Sequence, residues 1–204
     1  MEKRDAITRA ARMVFARDGY ARAAIGTIAA EAGVSTRTIY NHFDGKEQLF
    51  ATVIRESSAP VTDALSRIME RHLGRIGTAA DLERALVALG CEWTSPQRHF
   101  AEHFAIVRHI YVEGPQLPST CLSAWQDAGP GQAERELARH LRSLASQGLL
   151  RITDAQRSAE HFLLLTVGAV ANQLPSIAAD PIDEKLTIEI VSAGVHAFLN
   201  GYGA

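Results

Sequence analysis

The chain has 204 residues, of which 47% are hydrophobic and 22% are charged, and its formal net charge is −2. This balance excludes a disordered chain and a strongly basic nucleic-acid coat protein, and the length predicts one or two domains that bury about 70% of the unfolded surface. Residues 1–50 carry eight Lys/Arg against six Asp/Glu, a net of +2, which leaves −4 for the remainder, so a small basic head precedes an acidic body.

Residues 25–46 predict two short helices that meet at Gly33. Apolar residues form facing patches on the two helices: Ile28, Ala29 and Ala32 on the first, and Val34, Ile39 and Phe43 on the second. Gly33 can take the positive φ that a tight helix–helix turn needs. Ser35 stands where the N-cap hydroxyl of the second helix is expected.

The second of these helices leaves its polar side chains available to a partner. Lys and Glu, which usually fill a solvated face, are absent from residues 35–43, and hydroxyl, guanidinium, amide and imidazole groups replace them. Such groups hydrogen-bond phosphates and base edges. The layout predicts a helix-turn-helix whose second helix enters the major groove of DNA, and the alternative is an ordinary helical hairpin with a solvated face.

Residues 4–50 resemble the N-terminal domain of the TetR family of transcriptional regulators. The matching positions are Ile7, Ala10, Ala11, Phe15, Gly19, Tyr20, Ile28, Ala29, Ala32, Gly33, Val34, Ser35, Thr38, Tyr40, His42, Phe43, Lys46 and Leu49. Four positions depart from the family pattern. Ala23-Ala24 replaces a Thr/Ser pair that would cap the next helix, Thr27 replaces a common acidic residue, and Arg37 replaces a frequent Gly.

The resemblance also implies which residues contact DNA. It assigns base contacts to the recognition helix through Thr36, Arg37, Thr38 and Asn41. It assigns phosphate contacts to Tyr40, His42 and Lys46. The predicted DNA-binding set also includes Thr27, whose hydroxyl partly replaces the missing pair, and Ser35.

From residue 46 onward the spacing of apolar residues predicts helices and no strand. The predicted helices cover residues 46–73, 79–93, 97–113, 118–128, 132–147, 153–174 and 183–200. Pro60 predicts a kink or break after Ser57, and residues 153–156 predict a capping box led by Thr153. The predicted fold class is all-α, with a three-helix DNA-binding domain over residues 1–47 and a helical bundle for effector binding and dimerisation over residues 48–204.

The helix predicted to end at residue 174 is apolar almost all the way round, so every side of it needs a cover. A second subunit is the simplest cover, and the broad apolar face of the last helix predicts a four-helix interface, which the resemblance also implies. The predicted interface residues are Phe162, Leu163, Val167, Val170, Leu174, Ile190, Val191, Gly194 and Phe198. A buried central helix in a monomer is the alternative.

Aromatic and polar residues concentrate in one third of the body. These residues are Trp93, Phe100, His103, Phe104, Val107, Arg108, Tyr111 and Trp125. They could line a cavity with apolar walls and a few directing polar groups, or they could be a packed core with Arg108 in a salt bridge. The resemblance implies that a small effector binds in this region, and residues 108–118 resemble the subgroup typified by AefR.

Other chemistry has weaker support. His99 to His103 spells an H-x-x-E-H string, which predicts two ligands of a metal-dependent hydrolase on one helix face, but no third ligand is evident. Two cysteines thirty residues apart make neither a disulfide framework nor a zinc pattern. Because no targeting signal and no apolar run of membrane length is present, we expect a cytoplasmic protein.

These observations predict a homodimeric, ligand-responsive transcriptional regulator rather than an enzyme. We expect it to be a repressor of an inverted-repeat operator in double-stranded DNA, released by a small, largely apolar effector. No cofactor, metal or membrane partner is expected. An activator or an effector-independent regulator is the alternative within the same class.

Overall fold

The computed structural model describes residues 3–93, 95–172 and 184–204, and most of these residues are helical. The helices are α1 (Lys3–Arg22), α2 (Ile25–Ala32), α3 (Thr36–Tyr40), α4 (Lys46–Leu73), α5 (Ala79–Glu92), α6 (Ala101–Glu113), α7 (Ser119–Ala128), α8 (Pro130–Ser146), α9 (Ala155–Leu163), α10 (Ala169–Ala171) and α11 (Glu184–Tyr202). Within these described ranges the only β pairing is an isolated bridge between Leu150 and Gly203. The predicted all-α fold class is therefore confirmed.

The chain divides into two compact units. The first unit contains Met1–Thr62 and Gln97–Gly131, so the three N-terminal helices share a unit with α6 and α7. Its core includes the rings of Phe15 and Phe50, which meet edge to face with centroids 4.9 Å apart. The units do not coincide with a boundary after residue 47, and that domain boundary stays a prediction.

The turn between α2 and α3 forms as the local sequence predicts. Gly33 ends α2 with φ 66°, and its N–H is directed to the carbonyls of Ala29 and Ala30. Ser35 caps α3 by accepting a hydrogen bond from the Thr38 N–H at 3.1 Å. Because Ile39 is fully buried, α3 is held against the core by one side and by its cap.

The second unit contains Asp63–Pro96 and Gln132–Ala204. Its core includes Phe162 and Phe198, whose rings meet edge to face at 5.5 Å. After α9 the helix widens into a π-helical turn over Leu164–Gly168, which the sequence did not predict. Gly194 on α11 packs against this turn so closely that an added Cβ would lie 2.1 Å from the Leu165 carbonyl oxygen.

Three helix boundaries differ from the predictions. The predicted break at Pro60 is wrong, because α4 continues through it, and Pro60 is exposed, so water can reach the carbonyl left without a donor. A 3₁₀ turn over Ser95–Arg98 delays α6 to Ala101. Asp154, not Thr153, caps α9, since the Asp154 carboxylate accepts from the Arg157 N–H at 3.0 Å.

In the part of the chain that the structure describes, no helix combines the length and the apolarity that crossing a bilayer requires.

Candidate nucleic-acid interface

The exposed side of α3 carries the polar groups that the sequence assigned to DNA. The exposed members of the set are Thr36, Arg37, Tyr40, Asn41 and His42, and the half-buried members are Thr27, Thr38 and Lys46. Among the described residues the Arg37 guanidinium has neither a hydrogen bond nor an ion pair. The Arg37 guanidinium is therefore an exposed, charged donor without an internal partner. It is presented next to hydroxyl and amide groups.

Ser35 has a structural role in this surface. Its hydroxyl accepts the Thr38 N–H and lies 2.9 Å from the Thr38 hydroxyl, so the two side chains order the first turn of α3. A helix of this length is marginal by itself, and its capping and its buried Ile39 replace intrinsic stability.

Lys46 already has partners inside the first unit. Its ammonium donates to the Ala21 carbonyl oxygen at 3.2 Å and lies 4.5 Å from the centre of the Tyr20 ring. Burial lowers the pKa of Lys46, and the negative charge of Glu113 opposes that shift. A phosphate contact from Lys46 stays a prediction.

The predicted effector residues form two pairs in the first unit. His103 is buried, and its Nδ1 lies 3.0 Å from the Ser57 hydroxyl oxygen, while the Phe104 ring contacts it edge to face at 5.1 Å. Burial lowers the pKa of His103 to about 4, so the imidazole is neutral near pH 7. Tyr111 and Trp125 form the second pair, with ring centroids 5.4 Å apart.

The remaining effector residues do not complete an enclosed cavity. Tyr111 is 71% exposed and Arg108 is also exposed, whereas Phe100 and Val107 are half-buried. Trp93 belongs to the second unit. A surface depression beside Arg12 and another beside Arg142 are lined by other residues. An effector site at this set stays a prediction.

Sequence reasoning missed two serines near this region. Ser57 binds His103, and the Ser58 hydroxyl is fully buried with no hydrogen-bond partner among the described residues. The sequence did indicate that Ser58 is buried, because Ser58 falls in register with the apolar residues Ile54 and Val61 of the same helix. A buried hydroxyl without a partner costs about 1–3 kcal/mol, so its retention calls for an explanation such as a bound polar group.

The two histidines of the H-x-x-E-H string do not share a helix face. His99 is exposed in the turn before α6, whereas His103 is buried within α6. The alternative of a metal-dependent hydrolase assumed that His99 and His103 share one helix face, and this assumption is wrong because α6 begins after His99. The described residues contain no group of three or more metal-ligating side chains.

Most predicted interface residues are already covered within one chain. Phe162, Val170, Val191, Gly194 and Phe198 are buried, Leu163, Val167 and Ile190 are half-buried, and Leu174 lies outside the described residues. The exposed large apolar side chains of this region are instead Leu164, Leu165, Leu186 and Ile188. We call these four residues the apolar face. They could not be picked out from the sequence, because the spacing of apolar residues along a helix does not show which side of it another helix of the same chain covers.

The two cysteines are shielded thiols. Burial raises the pKa of Cys121 to about 11, and it also raises the pKa of Cys91.

Comparison with known families and structures matches both parts of the chain. Residues 7–53 match the model described as bacterial regulatory proteins, TetR family. Residues 99–204 match the model described as the C-terminal domain of the AefR-like transcriptional repressor, which is over half of the chain. A comparison with curated proteins finds no match.

Solved structures of similar fold cover nearly the whole chain. A TetR-family regulator from Mesorhizobium loti MAFF303099 is 24% identical, with 99% of this chain and 97% of that one covered and a TM-score of 0.81. The flavonoid-responsive regulator FrrA is 26% identical, with 98% and 97% covered and a TM-score of 0.71. SmeT, the repressor of a Stenotrophomonas maltophilia multidrug efflux pump, is 19% identical, with 98% and 90% covered and a TM-score of 0.60. Together with the exposed helix-turn-helix surface, the matches to both parts establish that the chain belongs to the TetR family and is a transcriptional regulator with an AefR-like C-terminal domain.

Proposed function

We propose that the protein is a homodimeric repressor that binds an inverted-repeat operator through α3 and leaves it when a small, largely apolar effector binds. The observation that carries the proposal is the capped α3 with its exposed polar side, on which Arg37 has no internal partner among the described residues. A regulator of this kind acts on the bacterial chromosome, so we place it in the cytoplasm.

The proposed contacts divide into base reading and backbone positioning. Thr36, Arg37, Thr38 and Asn41 read base edges, and Tyr40, His42 and Thr27 contact phosphates. The phosphate contact that the sequence predicts for Lys46 is left out, because its ammonium is already held by the Ala21 carbonyl oxygen and the Tyr20 ring. Phosphate contacts fix the register of the helix on the duplex, and base contacts provide the sequence preference. In a two-fold dimer the two copies of α3 would enter successive major grooves, so the half-sites should lie about one helical turn apart.

Arg37→Ala is expected to weaken operator binding by about 1–3 kcal/mol and to relax the preference at one base pair in each half-site. The reason is that a guanidinium can bind the O6 and N7 of guanine through two hydrogen bonds, which alanine cannot form. Selection from random duplexes by wild type and variant, followed by titration of the selected operator, measures both effects.

Arg55→Ala provides the control for that experiment, because Arg55 is an exposed arginine of α4 in the same unit. It should leave the base preference unchanged. An Arg37→Ala protein that selects the wild-type sequence with unchanged preference would remove Arg37 from base reading. A wild-type protein that selects no sequence would overturn the proposed function itself.

For the effector we infer a largely apolar molecule with a neutral hydrogen-bonding group. The pair of His103 and Phe104 supports this inference, because the buried imidazole is neutral and can donate or accept but cannot attract an anion by charge. The unpartnered Ser58 hydroxyl adds a second neutral group in the same unit. Similar folds include a flavonoid-responsive regulator and the repressor of a multidrug efflux pump.

Phe104→Ala is expected to change which aromatic compounds release the operator, while operator affinity without compound stays within about twofold. Linkage requires an effector to bind the free dimer more tightly than the DNA-bound one by the factor that it weakens the operator complex, about 5–150-fold. A panel of neutral aromatic compounds is tested by operator release and by tryptophan emission. Trp93→Phe leaves Trp125 as the remaining tryptophan and assigns the emission change. If no compound alters emission or release, the cluster is packed core.

A further inference from the structure

Glu113, at the C-terminal end of α6, reaches the last residues of α1, which follow a non-helical break at Gly19 and which we call the α1–α2 turn. Its Oε2 accepts the backbone N–H of Ala21 at 3.0 Å, and only 14% of its side chain is exposed. The Ala21 carbonyl oxygen accepts from the Lys46 ammonium at 3.2 Å. Both backbone polar groups of one residue are thus held by charged side chains, one from α6 and one from α4.

Gly19 allows this approach. An added Cβ at Gly19 would lie 2.1 Å from the Glu113 Oε1 atom and 2.9 Å from the His109 Nδ1 atom. The backbone of Gly19 also has φ 77° and ψ 175°, a region that residues with a Cβ rarely occupy. The chain therefore turns out of α1 at the point where the end of α6 lies against it.

The start of α2 has no side-chain cap. Ala24, the N-cap residue of α2, makes no side-chain cap hydrogen bond, because alanine replaces the hydroxyl residue expected there. Hydrogen bonds to charged groups are stronger than neutral ones and are less exposed to competing water when the groups are shielded. The Glu113 and Lys46 contacts hold the chain just before this uncapped helix, at Ala21.

We propose that Glu113 is a positioning residue, which fixes the α1–α2 turn through the Ala21 N–H and so couples the position of α6 to the placement of the DNA-reading helices. We call the Glu113–Ala21–Lys46 arrangement the clasp. The proposal rests on the proposed operator binding, because the placement of α2 and α3 has a readout only through DNA. The proposal includes Lys46 in the clasp because its ammonium donates to the Ala21 carbonyl oxygen.

A second link between α6 and α1 provides a matched comparison. Arg12 Nε and Glu102 Oε2 lie 2.9 Å apart, but both side chains are substantially exposed, at 38% and 54%. Such exposed pairs contribute little, and this pair holds no backbone group of the turn. Glu102→Gln therefore removes a carboxylate from α6 without touching the clasp.

The test compares Glu113→Ala, Glu113→Gln and Glu102→Gln in the full-length protein, using the operator selected by wild type. Glutamine keeps an oxygen that can accept the Ala21 N–H, whereas alanine removes it. Glu113→Ala is expected to lower operator affinity by about ten-fold, within the usual range for coupling between sites. Glu113→Gln should recover most of that loss, and Glu102→Gln should stay within about twofold of wild type.

Amide hydrogen exchange distinguishes positioning from loss of fold. The Ala21 amide should exchange at least about ten-fold faster in Glu113→Ala, while buried amides of α1 and α6 keep their wild-type protection. In wild type, operator binding should slow exchange at Ala21, and this slowing should be lost in Glu113→Ala. Should Glu113→Ala fail to fold, Lys46→Met, which removes the other charged partner of Ala21, carries the same measurements.

Lys46→Met tests the assignment of the lysine. If Lys46 acts through the clasp, its loss and the loss of Glu113 should be non-additive, and the salt dependence of operator binding should stay unchanged. Additive losses with a flatter salt dependence would overturn that assignment. If Glu113→Ala has the same Ala21 exchange rate and operator affinity as wild type, the clasp is overturned. If the wild-type protein itself selects no operator, the proposed function is overturned.

Discussion

Replacing Leu164 with glutamate is expected to give a folded monomer whose operator affinity falls by about a hundred-fold or more. Leu164 is 61% exposed in the π-helical turn, so a carboxylate there stays hydrated in the single chain. In a dimer that buries the apolar face, the same charge would lose its water without gaining a partner, at a cost of several kcal/mol. Each 1.4 kcal/mol is a factor of ten in affinity, and one subunit reaches only one half-site.

Sedimentation velocity, far-UV circular dichroism and operator titration measure the three parts of this expectation. Ile188→Glu on α11 should act in the same way if the dimer also buries this residue, which is 45% exposed. Met13→Glu is the matched control, since Met13 is an exposed apolar residue of α1 in the first unit. Val170→Glu should instead unfold the second unit, because Val170 is buried in its own chain. A Leu164→Glu protein that remains dimeric would exclude the apolar face as the interface.

Gly194→Ala is expected to lower the free energy of unfolding by about 3 kcal/mol, the upper end for overpacked cores. The added Cβ would lie 2.1 Å from the carbonyl oxygen of Leu165 and 2.7 Å from its carbonyl carbon. Both atoms belong to the backbone of the π-helical turn, so no side-chain rotation relieves the contact. α11 must move away from the turn that carries Leu164 and Leu165, and dimerisation should weaken with it.

Thermal and urea unfolding measure this loss against Gly201→Ala on the same helix. A Cβ at Gly201 meets no atom within 4 Å, and alanine favours a helix over glycine, so that variant should be slightly more stable than wild type. Equal stability of the Gly194 and Gly201 variants would show that α11 can shift at no cost and that Gly194 does not fix its distance from the π-helical turn.

The parts of the fold that obey local rules could be predicted from the sequence. The turn at Gly33 and the cap at Ser35 depend on a few adjacent residues, and both form as predicted. The all-α class also follows from apolar spacing over many turns. The family resemblance over residues 4–50 also indicated a function, because many closely spaced residues match the family pattern.

The errors arose where neighbouring groups compete. Thr153 and Asp154 can both cap a helix, and the carboxylate of Asp154 is the group that reaches the Arg157 N–H. Pro96 lies in a 3₁₀ turn that delays α6, and this delay separates His99 from His103. The π-helical turn lies against Gly194, which is far from Leu165 in sequence, so local spacing does not reveal this contact.

The candidate sites could also be predicted only where the contacts involve residues that are close together in the sequence. The polar residues of α3 could be assigned because a short helix with one buried residue has a clear outer side. The clasp could not be predicted, because Glu113 is 92 residues from Ala21 and the hydrogen bond uses a backbone N–H that carries no sequence signal. Burial of Ser57 was likewise hidden, since hydroxyl residues on a helix are usually exposed, whereas the register of Ser58 with Ile54 and Val61 did indicate its burial.

The shielding of the two thiols narrows the kinds of signal that this regulator can receive. Peroxides, disulfides and electrophiles react with thiolates, and a thiol of pKa about 11 has about one molecule in ten thousand ionised at pH 7. Oxidation at Cys121 is therefore slower than at an exposed thiol, and burial of the sulfur slows it further. A signal molecule that binds this chain reversibly and without a covalent bond therefore acts without chemical damage to its cysteines.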